Sequence, residues 1–214
     1  MLNRDPYYNF IEDSLILLSH KIKNQNSVNL TSLNIHCENL FRDFLNCLFD
    51  YNLVNSNEIE QNAAAIDLGD IKNKICIQIT SNNQLKKTKD TLRLFEKKKL
   101  YEKYDRLIIL QIVKKAKHKI TIVAKKIKFD KDNDIWDYTD LTKKCMHLRI
   151  EKLETLFKLV WKEFNVNPFP QSKAGDNTYI DESISKSIAT DLIAAFRPPS
   201  LLNFFPNANN NVMI

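Results

Sequence analysis

Glycine is the residue type that this sequence lacks most clearly. Only two of the 214 residues, Gly69 and Gly175, are glycine, whereas a globular chain typically holds about 7%. Phosphate-binding loops of the Walker A and dinucleotide-binding kinds need several glycines, because their backbone must approach the phosphates closely. The sequence therefore excludes nucleotide-binding domains of both kinds.

Metal-binding cysteine pairs and long apolar segments are missing as well. The four cysteines, Cys37, Cys47, Cys76 and Cys145, form no CxxC pair, and the four histidines are equally scattered. This spacing argues against a zinc site and predicts free thiols in a reducing cytoplasm. No run approaches the ~20 apolar residues of a membrane span, and the N-terminus has no apolar stretch typical of a signal sequence. We therefore expect a soluble, cytoplasmic protein with no membrane partner.

The charge balance is moderately basic. Lysine and arginine number 32 against 26 acidic residues, which gives a net charge of +6. This excess favours a polyanionic partner such as nucleic acid, although many soluble proteins carry a similar charge without binding one. With 43% apolar and 27% charged residues, the chain is able to bury a core.

The most informative stretch runs from residue 62 to residue 95 and predicts two short strands, a tight turn and a helix. With Lys72 and Asn73 in the turn, the predicted pairs are Asp67 with Gln78, Leu68 with Ile77, Ile66 with Ile79, and Ala65 with Thr80. This register sorts the hairpin into an apolar face (Ile66, Leu68, Ile77, Ile79) and a polar face (Asp67, Gln78, Thr80). Directly opposed Cβ atoms lie about 4.5–5.5 Å apart, so we expect Asp67 and Gln78 to hold one ligand between them.

The helix after this hairpin is predicted to begin at Ser81, which forms a capping-box pattern with Gln84. Its apolar residues Leu85, Leu92 and Phe95 are predicted to face the sheet. Four basic residues share another face of the same helix: Lys86, Lys89, Arg93 and Lys97. Such a stripe is more often a solvated surface, although its position beside the polar hairpin strengthens the alternative of a contact with a phosphate backbone.

Two amphipathic helices are predicted before the hairpin, over residues 7–23 and from Thr31 or Ser32 to about Asp50. Glu38 lies at the edge of the apolar stripe of the second helix, one turn before Arg42. It is either half of an exposed ion pair or a carboxylate at the edge of a site. Residues 52–54 are predicted to form a short strand.

The chain after the hairpin helix begins with a near-continuous apolar run at residues 105–113, which predicts a strand covered on both faces. Residues 119–129 are predicted to pair with it, and the lysines along this edge either prevent aggregation or contact a polyanion. A long helix is predicted from Thr139 or Asp140 to Phe164. Residues 165–178 are predicted to be a linker, and 179–214 an amphipathic helix with a tail that we expect to continue into a further domain.

Five collinear blocks of this chain resemble the SMEK domain, a module found at the N-terminus of bacterial anti-phage proteins, often ahead of a STAND-type ATPase. The blocks are HCENLFRDFLNCLFDYNLVN (36–55), AAAIDLGDIKNKICIQITSN (63–82), KKTKDTLRLF (86–95), YDRLIIL (104–110) and IWDYTDL (135–141). The resemblance covers about residues 7–164 and implies a role in antiviral defence. At the level of the fold, the same blocks resemble the PD-(D/E)xK restriction-endonuclease superfamily.

This second resemblance implies an α/β fold class with a restriction-endonuclease-like α-β-β-α-β core. A mixed central sheet would be flanked by helices within residues 1–164, and a helical C-terminal extension would follow the linker. In nucleases of this layout, carboxylates on adjacent strand ends hold Mg²⁺, which activates water and neutralises charge that develops on the phosphate. Magnesium needs few protein ligands because it keeps several waters.

The superfamily motif can be matched residue by residue. Glu38 takes the place of the acid on the first helix, Asp67 that of the metal-binding aspartate, and Gln78 that of the first residue of the (E/Q)xK pattern. The motif lysine falls on Thr80, which carries no charge. The resemblance therefore implies either that Lys86 supplies the charge from the next helix, or that the site is degenerate and binds without cutting.

The sequence thus leads to the hypothesis of a Mg²⁺-dependent nuclease. Its metal ligands would be Asp67, Gln78 and Glu38, which would be catalytic together with Lys86. The predicted nucleic-acid contacts are Lys89, Arg93 and Lys97, with DNA favoured over RNA. Two alternatives stay open: a nuclease-fold module that binds nucleic acid without cleaving it, and a protein-interaction domain that forms a homo-oligomer or joins a downstream ATPase domain.

Overall fold

The computed structural model describes residues 2–27, 32–56, 65–116 and 124–164. Its helices are α1 (Arg4–Ser27), α2 (Ser32–Phe49), α3 (Leu85–Lys97), α4 (Lys131–Asp134), α5 (Tyr138–Cys145) and α6 (Ile150–Phe164). Its strands are β1 (Val54–Asn55), β2 (Leu68–Asp70), β3 (Ile75–Thr80), β4 (Arg106–Gln111) and β5 (Ile135–Trp136), and a 3₁₀ helix spans Leu100–Glu102. The described residues thus form a mixed α/β structure.

A single sheet with the strand order β1-β2-β3-β4-β5 lies at the centre of the described structure. The strands β1, β2 and β3 pair antiparallel, whereas β3, β4 and β5 pair in parallel. The connections explain this change, because a tight turn joins β2 to β3 while α3 carries the chain back to the start of β4. The predicted α/β class with a mixed sheet is therefore confirmed, and the element order from α2 onward is α2, β1, β2, β3, α3, β4.

The sheet is covered on both faces. The face toward α1, α2, α5 and α6 contributes Leu68, Ile77, Ile79, Ile108 and Leu110 to the larger apolar core. The opposite face contributes Cys76 and Leu107, which pack with Leu92 and Phe95 of α3. Strand β4 is buried on both sides, as its apolar run predicts, because alternate residues of a strand point to opposite faces.

The β2–β3 hairpin has the predicted register over its three paired positions. Leu68 pairs with Ile77, which continues to the pair of Asp70 with Ile75 beside the turn. The predicted continuation of this ladder back to Ala65 is wrong. The Asp67 amide donates to the Ile77 carbonyl at 2.9 Å, so that Asp67 and Leu68 both oppose one residue, as in a β-bulge.

The bulge also changes where Ile66 packs. Ile66 was expected on the same apolar face as Leu68, but it joins the core beside α3, whereas Leu68 joins the larger core on the other side of the sheet. A one-residue irregularity moves the preceding side chains to the opposite face, because the side-chain period of a strand is two.

The predicted capping box at Ser81 is wrong. Helix α3 begins at Leu85, and Gln84 in the N-cap position makes no side-chain cap bond. The Asn82 amide donates to the Thr80 hydroxyl at 3.1 Å, and the Gln84 amide donates to Asn82 Oδ1 at 2.8 Å. Local bonds of this kind offer the backbone an alternative to a helical turn, which delays the start of α3.

Three further predictions differ from the structure in detail. The short strand predicted at 52–54 is found at Val54–Asn55, and the predicted helix to Phe164 is divided by a turn at 146–149 that no glycine or proline announces. Residues 124–129 contain no strand, and β4 pairs instead with β5, whose Ile135 is buried in the core beside α3. The first part of that predicted strand, the linker and the C-terminal helix lie outside the described residues.

The start of α5 is tied to the end of β4 by Asp137. Its buried carboxylate accepts hydrogen bonds from the Lys115 amide at 2.8 Å and from the Thr139 amide and hydroxyl at 2.8 and 2.6 Å. Asp137 and Asp140 form a capping box, and the Lys115 ammonium pairs with Asp140 at 2.8 Å. The IWDYTDL block therefore has a structural role, in which one lysine of the predicted basic edge takes part.

Gly69 of β2 is required by close packing. A Cβ atom at this position would overlap the Tyr104 hydroxyl and lie 3.1 Å from its ring carbon Cζ. We predict that Gly69→Ala lowers the free energy of unfolding by about 1–3 kcal/mol, measured by urea denaturation. Tyr104→Phe removes the overlapping oxygen, so the double variant should recover part of this loss. An unchanged loss in the Tyr104→Phe background would contradict the steric explanation.

Candidate functional site

Asp67 lies where the β2–β3 ladder is interrupted, and it is held from several sides. Its carbonyl oxygen accepts hydrogen bonds from the Ser56 amide at 2.8 Å and from the Ser56 hydroxyl at 3.0 Å. Its Oδ2 accepts one from the Ile79 amide and one from Gln78 Nε2, both at 2.6 Å. The carboxylate thus stands in for a backbone carbonyl of the ladder, which fixes its position before any ligand binds.

The orientation of the Gln78 amide follows from its neighbours. Nε2 donates to Asp67 Oδ2 at 2.6 Å and to the Ile79 carbonyl at 3.0 Å. Both partners are acceptors, so the nitrogen and not the oxygen of the amide must face them. Within the described part of the chain, Gln78 Oε1 and Asp67 Oδ1 accept no hydrogen bond. These two oxygens are therefore open to a cation.

The structure brings Asp67 and Gln78 together, as the hairpin register predicts. The ligand was expected between them, but the two side chains hydrogen-bond to each other directly. The bulge at Asp67 explains the difference, because it moves the carboxylate into bonding distance of the Ile79 amide. A ligand would therefore bind beside this pair, at the two remaining oxygens.

Glu38 of α2 is the second carboxylate at this site. It is partly buried, and the Asn55 side chain on β1 hydrogen-bonds to it. Glu38 lies close enough to Asp67 for its negative charge to raise the Asp67 pKa. Of the two sequence interpretations, this favours a carboxylate at the edge of a site. Asn55 was not identified from the sequence, since a lone asparagine after a short apolar stretch carries no signal.

Both carboxylates are difficult to ionise in this setting. Burial is the main cause that raises the pKa of Asp67 to about 7, and the charge of Glu38 raises it further, against the hydrogen bonds from Ile79 and Gln78 and the charge of Lys87. Burial likewise raises the pKa of Glu38, and the Asn55 bond opposes it. Two acids that repel each other in a partly buried site are stabilised by a shared cation.

Lys87, the neighbour of the predicted Lys86, carries a charge that acts on Asp67. Lys87 lowers the Asp67 pKa and is half-buried, whereas Lys86 is exposed. Successive helix residues are rotated by about 100°, so these two neighbours at the start of α3 point in different directions. Sequence reasoning missed Lys87 because it selected the lysine that belongs to the basic stripe. The sequence has lysine at both positions 86 and 87, and this repeat could have indicated Lys87 as a second candidate.

The predicted basic stripe lies on the exposed side of α3. Its members Lys86, Lys89, Arg93 and Lys97 are all exposed, while Leu92 and Phe95 are buried against the sheet as predicted. Arg93 forms an ion pair with Asp90 at 3.4 Å, which partly neutralises the stripe at its centre. Thr80, at the motif-lysine position, is buried and its hydroxyl accepts the Asn82 amide. Its role in the structure is to shape the entry to α3.

The donor set of this site consists of oxygens, the ligands that Mg²⁺ prefers. The set contains the carboxylates of Asp67 and Glu38 and the amide oxygen of Gln78. Among the described residues, no group of three or more His, Cys, Asp or Glu side chains is arranged to hold a metal ion. Magnesium does not require such a group, because it is bound by one or two carboxylates and completes its shell with waters and substrate oxygens.

The sequence model of the SMEK domain matches residues 10–146, which is more than half of the 214-residue chain. The chain belongs to the SMEK domain family. The resemblance to the SMEK domain is therefore confirmed, and the match includes all the residues that form the candidate site. No curated protein and no solved structure matches this chain.

Helix α6 lies beyond the residues matched to the SMEK domain, yet it belongs to the same core. Its buried residues Leu153, Leu156 and Val160 join the larger apolar cluster with residues of α1 and α2. Tyr7 and Phe10 of α1 contact the Phe157 ring, with centroids 4.9 and 5.2 Å apart.

In the ranges that the structure describes, no helix has the length and apolar character of a membrane span.

The raised pKa of Asp67 predicts a stability that depends on pH. An acid with a raised pKa in the folded state stabilises that state below its unfolded pKa, and this stability is lost as the pH rises through the folded pKa. Asp67→Asn keeps the hydrogen-bond acceptor for Ile79 and Gln78 but removes the charge. The variant should match the wild type near pH 4 and be more stable by roughly 2–4 kcal/mol near pH 8.

Urea denaturation across this pH range measures the difference. Asp105→Asn, a substitution of an exposed carboxylate paired with Lys74, is the matched control and should show no such divergence. Addition of Mg²⁺ near pH 8 should stabilise the wild type and not Asp67→Asn, because only the charged site binds the cation. An Asp67→Asn variant that is less stable than the wild type near pH 8 would overturn this account.

Proposed function

We propose that this SMEK domain is a Mg²⁺-dependent nuclease with a restriction-endonuclease-like fold, which hydrolyses phosphodiester bonds as an effector of bacterial anti-phage defence in the cytoplasm. The observation that carries the proposal is the convergence of Glu38, Asp67 and Gln78 on one partly buried site, with both carboxylates at a raised pKa. Groups that are costly to ionise and that present open oxygens are typical of cation and catalytic sites.

The topology supports the proposal. Glu38 lies on α2, Asp67 immediately precedes β2 and Gln78 lies on β3, an order compatible with the nuclease motif. Helix α3 then follows β3 directly and leads to the parallel strand β4. Gln78 reaches Asp67 because β2 and β3 are paired, and Glu38 comes near Asp67 because α2 contacts β1, which pairs with β2.

Each residue of the site would have a different role in the reaction. Asp67 Oδ1, Gln78 Oε1 and the Glu38 carboxylate would hold Mg²⁺, which supplies an activated water and neutralises charge on the phosphate. Lys87, whose charge already reaches Asp67, would stabilise the negative charge that develops on the phosphate oxygens during attack. The exposed lysines of α3 would place the nucleic-acid backbone. The four free thiols suit a reducing cytoplasm.

A second candidate function is binding without cleavage. It is favoured by Thr80, because the hydroxyl at the motif-lysine position is buried and engaged with the Asn82 amide. A threonine held in this way cannot orient an attacking water as an ammonium does. In this case the same residues would bind Mg²⁺ and nucleic acid, and the domain would sense nucleic acid for the rest of a defence protein.

We predict that the purified chain cleaves plasmid or single-stranded DNA with Mg²⁺ and that Asp67→Ala lowers the rate at least about 100-fold, because the metal loses its central ligand. Gel electrophoresis of the products measures the rate. Asp105→Ala, which removes an exposed carboxylate, should cleave like the wild type. Full activity of Asp67→Ala would discard the site, and absence of cleavage by the wild type with any divalent metal would favour the binding function.

The sequence predicts a catalytic role for Lys86, whereas the structure points to its neighbour Lys87. Variants of these two lysines of α3 distinguish the two assignments. Lys87→Ala should lower the cleavage rate about tenfold or more with little change in KM, because its charge acts at the reacting phosphate. Lys86→Ala should change the rate much less and is the control of equal charge and helix position. A larger loss of cleavage rate in Lys86→Ala than in Lys87→Ala would support the sequence prediction that Lys86 is catalytic and would exclude Lys87 from the site.

The stripe on α3 predicts a salt dependence of binding. Lys89→Ala/Lys97→Ala should weaken retention of a labelled duplex and reduce the slope of log affinity against log salt by about 1.8, since each phosphate contact contributes about 0.9. Lys158→Ala/Lys162→Ala on α6 removes the same charge from exposed lysines elsewhere. Equal slopes for the two double variants would mean that α3 has no special role in binding.

A further inference from the structure

A groove with aromatic walls lies on the opposite face of the sheet from α3. It has a volume of about 400 Å³ and is lined by Phe49 at the end of α2, by Tyr51, and by Trp136 of β5. All three aromatic residues are only half-buried. Sites for small molecules commonly measure about 300–1,000 Å³ and are lined by aromatic side chains, so both the size and the walls suit a ligand with a flat ring.

The rings of the groove form a connected surface. Phe49 stacks on Tyr51 with centroids 5.2 Å apart and an interplanar angle of 24°, and it contacts Trp136 at 5.3 Å. The indole N–H of Trp136 donates to the Asn133 carbonyl at 2.8 Å, which holds the ring in place. The aromatic surface is therefore preorganised, and a base that stacks on it would not have to order these side chains.

The charges around the groove favour an anion. Arg106 lies over the Trp136 ring at 5.6 Å and pairs with Asp134 at 2.9 Å, while Asp140 is neutralised by Lys115. On the rim, Lys143, Lys144 and His147 are exposed, and Asp132 is the one exposed acid among the residues that line the groove. The two lysines lie in the last turn of α5, where they also stabilise the helix dipole. The unneutralised charge on the rim is therefore positive.

A flat aromatic surface beside a cationic rim matches one chemical unit, a nucleobase that carries a phosphate. We propose that this groove binds a nucleotide, with its base against the rings of Phe49, Tyr51 and Trp136 and its phosphate at Lys143, Lys144 and His147. Bases stack on aromatic side chains without regard to sequence. The nucleotide is either a free mononucleotide or one unit of a single strand.

The groove is separate from the site at Asp67. Arg106 alternates along β4 with Leu107, which packs beside α3, so Arg106 points to the other face of the sheet. Trp136 and Phe49 pack against the larger core on that face. Binding in the groove therefore depends neither on the candidate metal ligands nor on the proposed nuclease activity.

The two tryptophans of the chain allow a direct test. Trp161→Phe leaves Trp136 as the single tryptophan, so its fluorescence reports the groove. Adenosine monophosphate, a short oligodeoxythymidine and inorganic phosphate are titrated into this variant of the 214-residue chain with EDTA present, which removes any metal-dependent binding or cleavage at Asp67. We expect saturable quenching by one or both of the nucleotide probes, and weak or no competition by inorganic phosphate.

Variants then assign the two parts of the ligand. Lys143→Ala/Lys144→Ala should weaken binding about tenfold, and Tyr51→Leu should do so by a similar factor through loss of stacking. Lys158→Ala/Lys162→Ala is the control of equal charge. Thermal unfolding confirms that each variant is folded.

The outcomes are distinguishable. Quenching by the mononucleotide identifies a free nucleotide as the ligand, and quenching by the oligonucleotide alone identifies a single strand. The proposal is overturned if neither nucleotide probe gives saturable quenching, or if inorganic phosphate competes as well as the nucleotides do. It is also overturned if the Lys143→Ala/Lys144→Ala variant and its control bind with equal affinity. Because EDTA is present throughout, none of these results bears on whether Asp67 supports cleavage.

Discussion

The Asp67 carboxylate that replaces a backbone carbonyl in the sheet is the interaction on which the rest of the site depends. The Ile79 amide would otherwise face the interrupted ladder without an acceptor, and a buried N–H without a partner costs about as much as a lost hydrogen bond. Asp67 satisfies it at 2.6 Å with one oxygen, which leaves the other oxygen for a ligand. The same carboxylate is thus a structural part of the sheet and the centre of the candidate metal site.

Several polar side chains are buried around the candidate site, although burial of polar groups is usually unfavourable. Gln78, Thr80 and Gln111 are buried at the end of β3 and β4, next to α3. Among the described residues, three side-chain atoms are buried without a hydrogen-bond partner: Gln25 Oε1 of α1, Thr88 Oγ1 of α3 and Gln111 Oε1 of β4. Buried polar atoms of this kind are costly and are concentrated at functional sites in native proteins. Stability is reduced at the same end of the sheet where Glu38 and Asp67 approach each other.

The two faces of the sheet separate two kinds of surface. The α3 side carries the exposed basic stripe, and Lys87 at the start of α3 is close enough to Asp67 to lower its pKa. The other side carries the aromatic groove between α2, β5 and α5. Because strand residues alternate between faces, β4 supports both surfaces, with Leu107 buried toward α3 and Arg106 over Trp136.

What the sequence determined by itself is local or periodic. The helices α1, α2 and α3, the register of Leu68 with Ile77, the buried strand β4 and the proximity of Asp67 and Gln78 all follow from spacing, because the period of a strand or helix assigns each residue to a face. The tertiary structure alone decided the bulge at Asp67, the contact of Asn55 with Glu38, the approach of Lys87 to Asp67 and the pairing of β4 with β5. The bulge and the strand pairing depend on which segments compete for the same hydrogen-bond donors and the same edge of the sheet, and residues distant along the chain settle that competition.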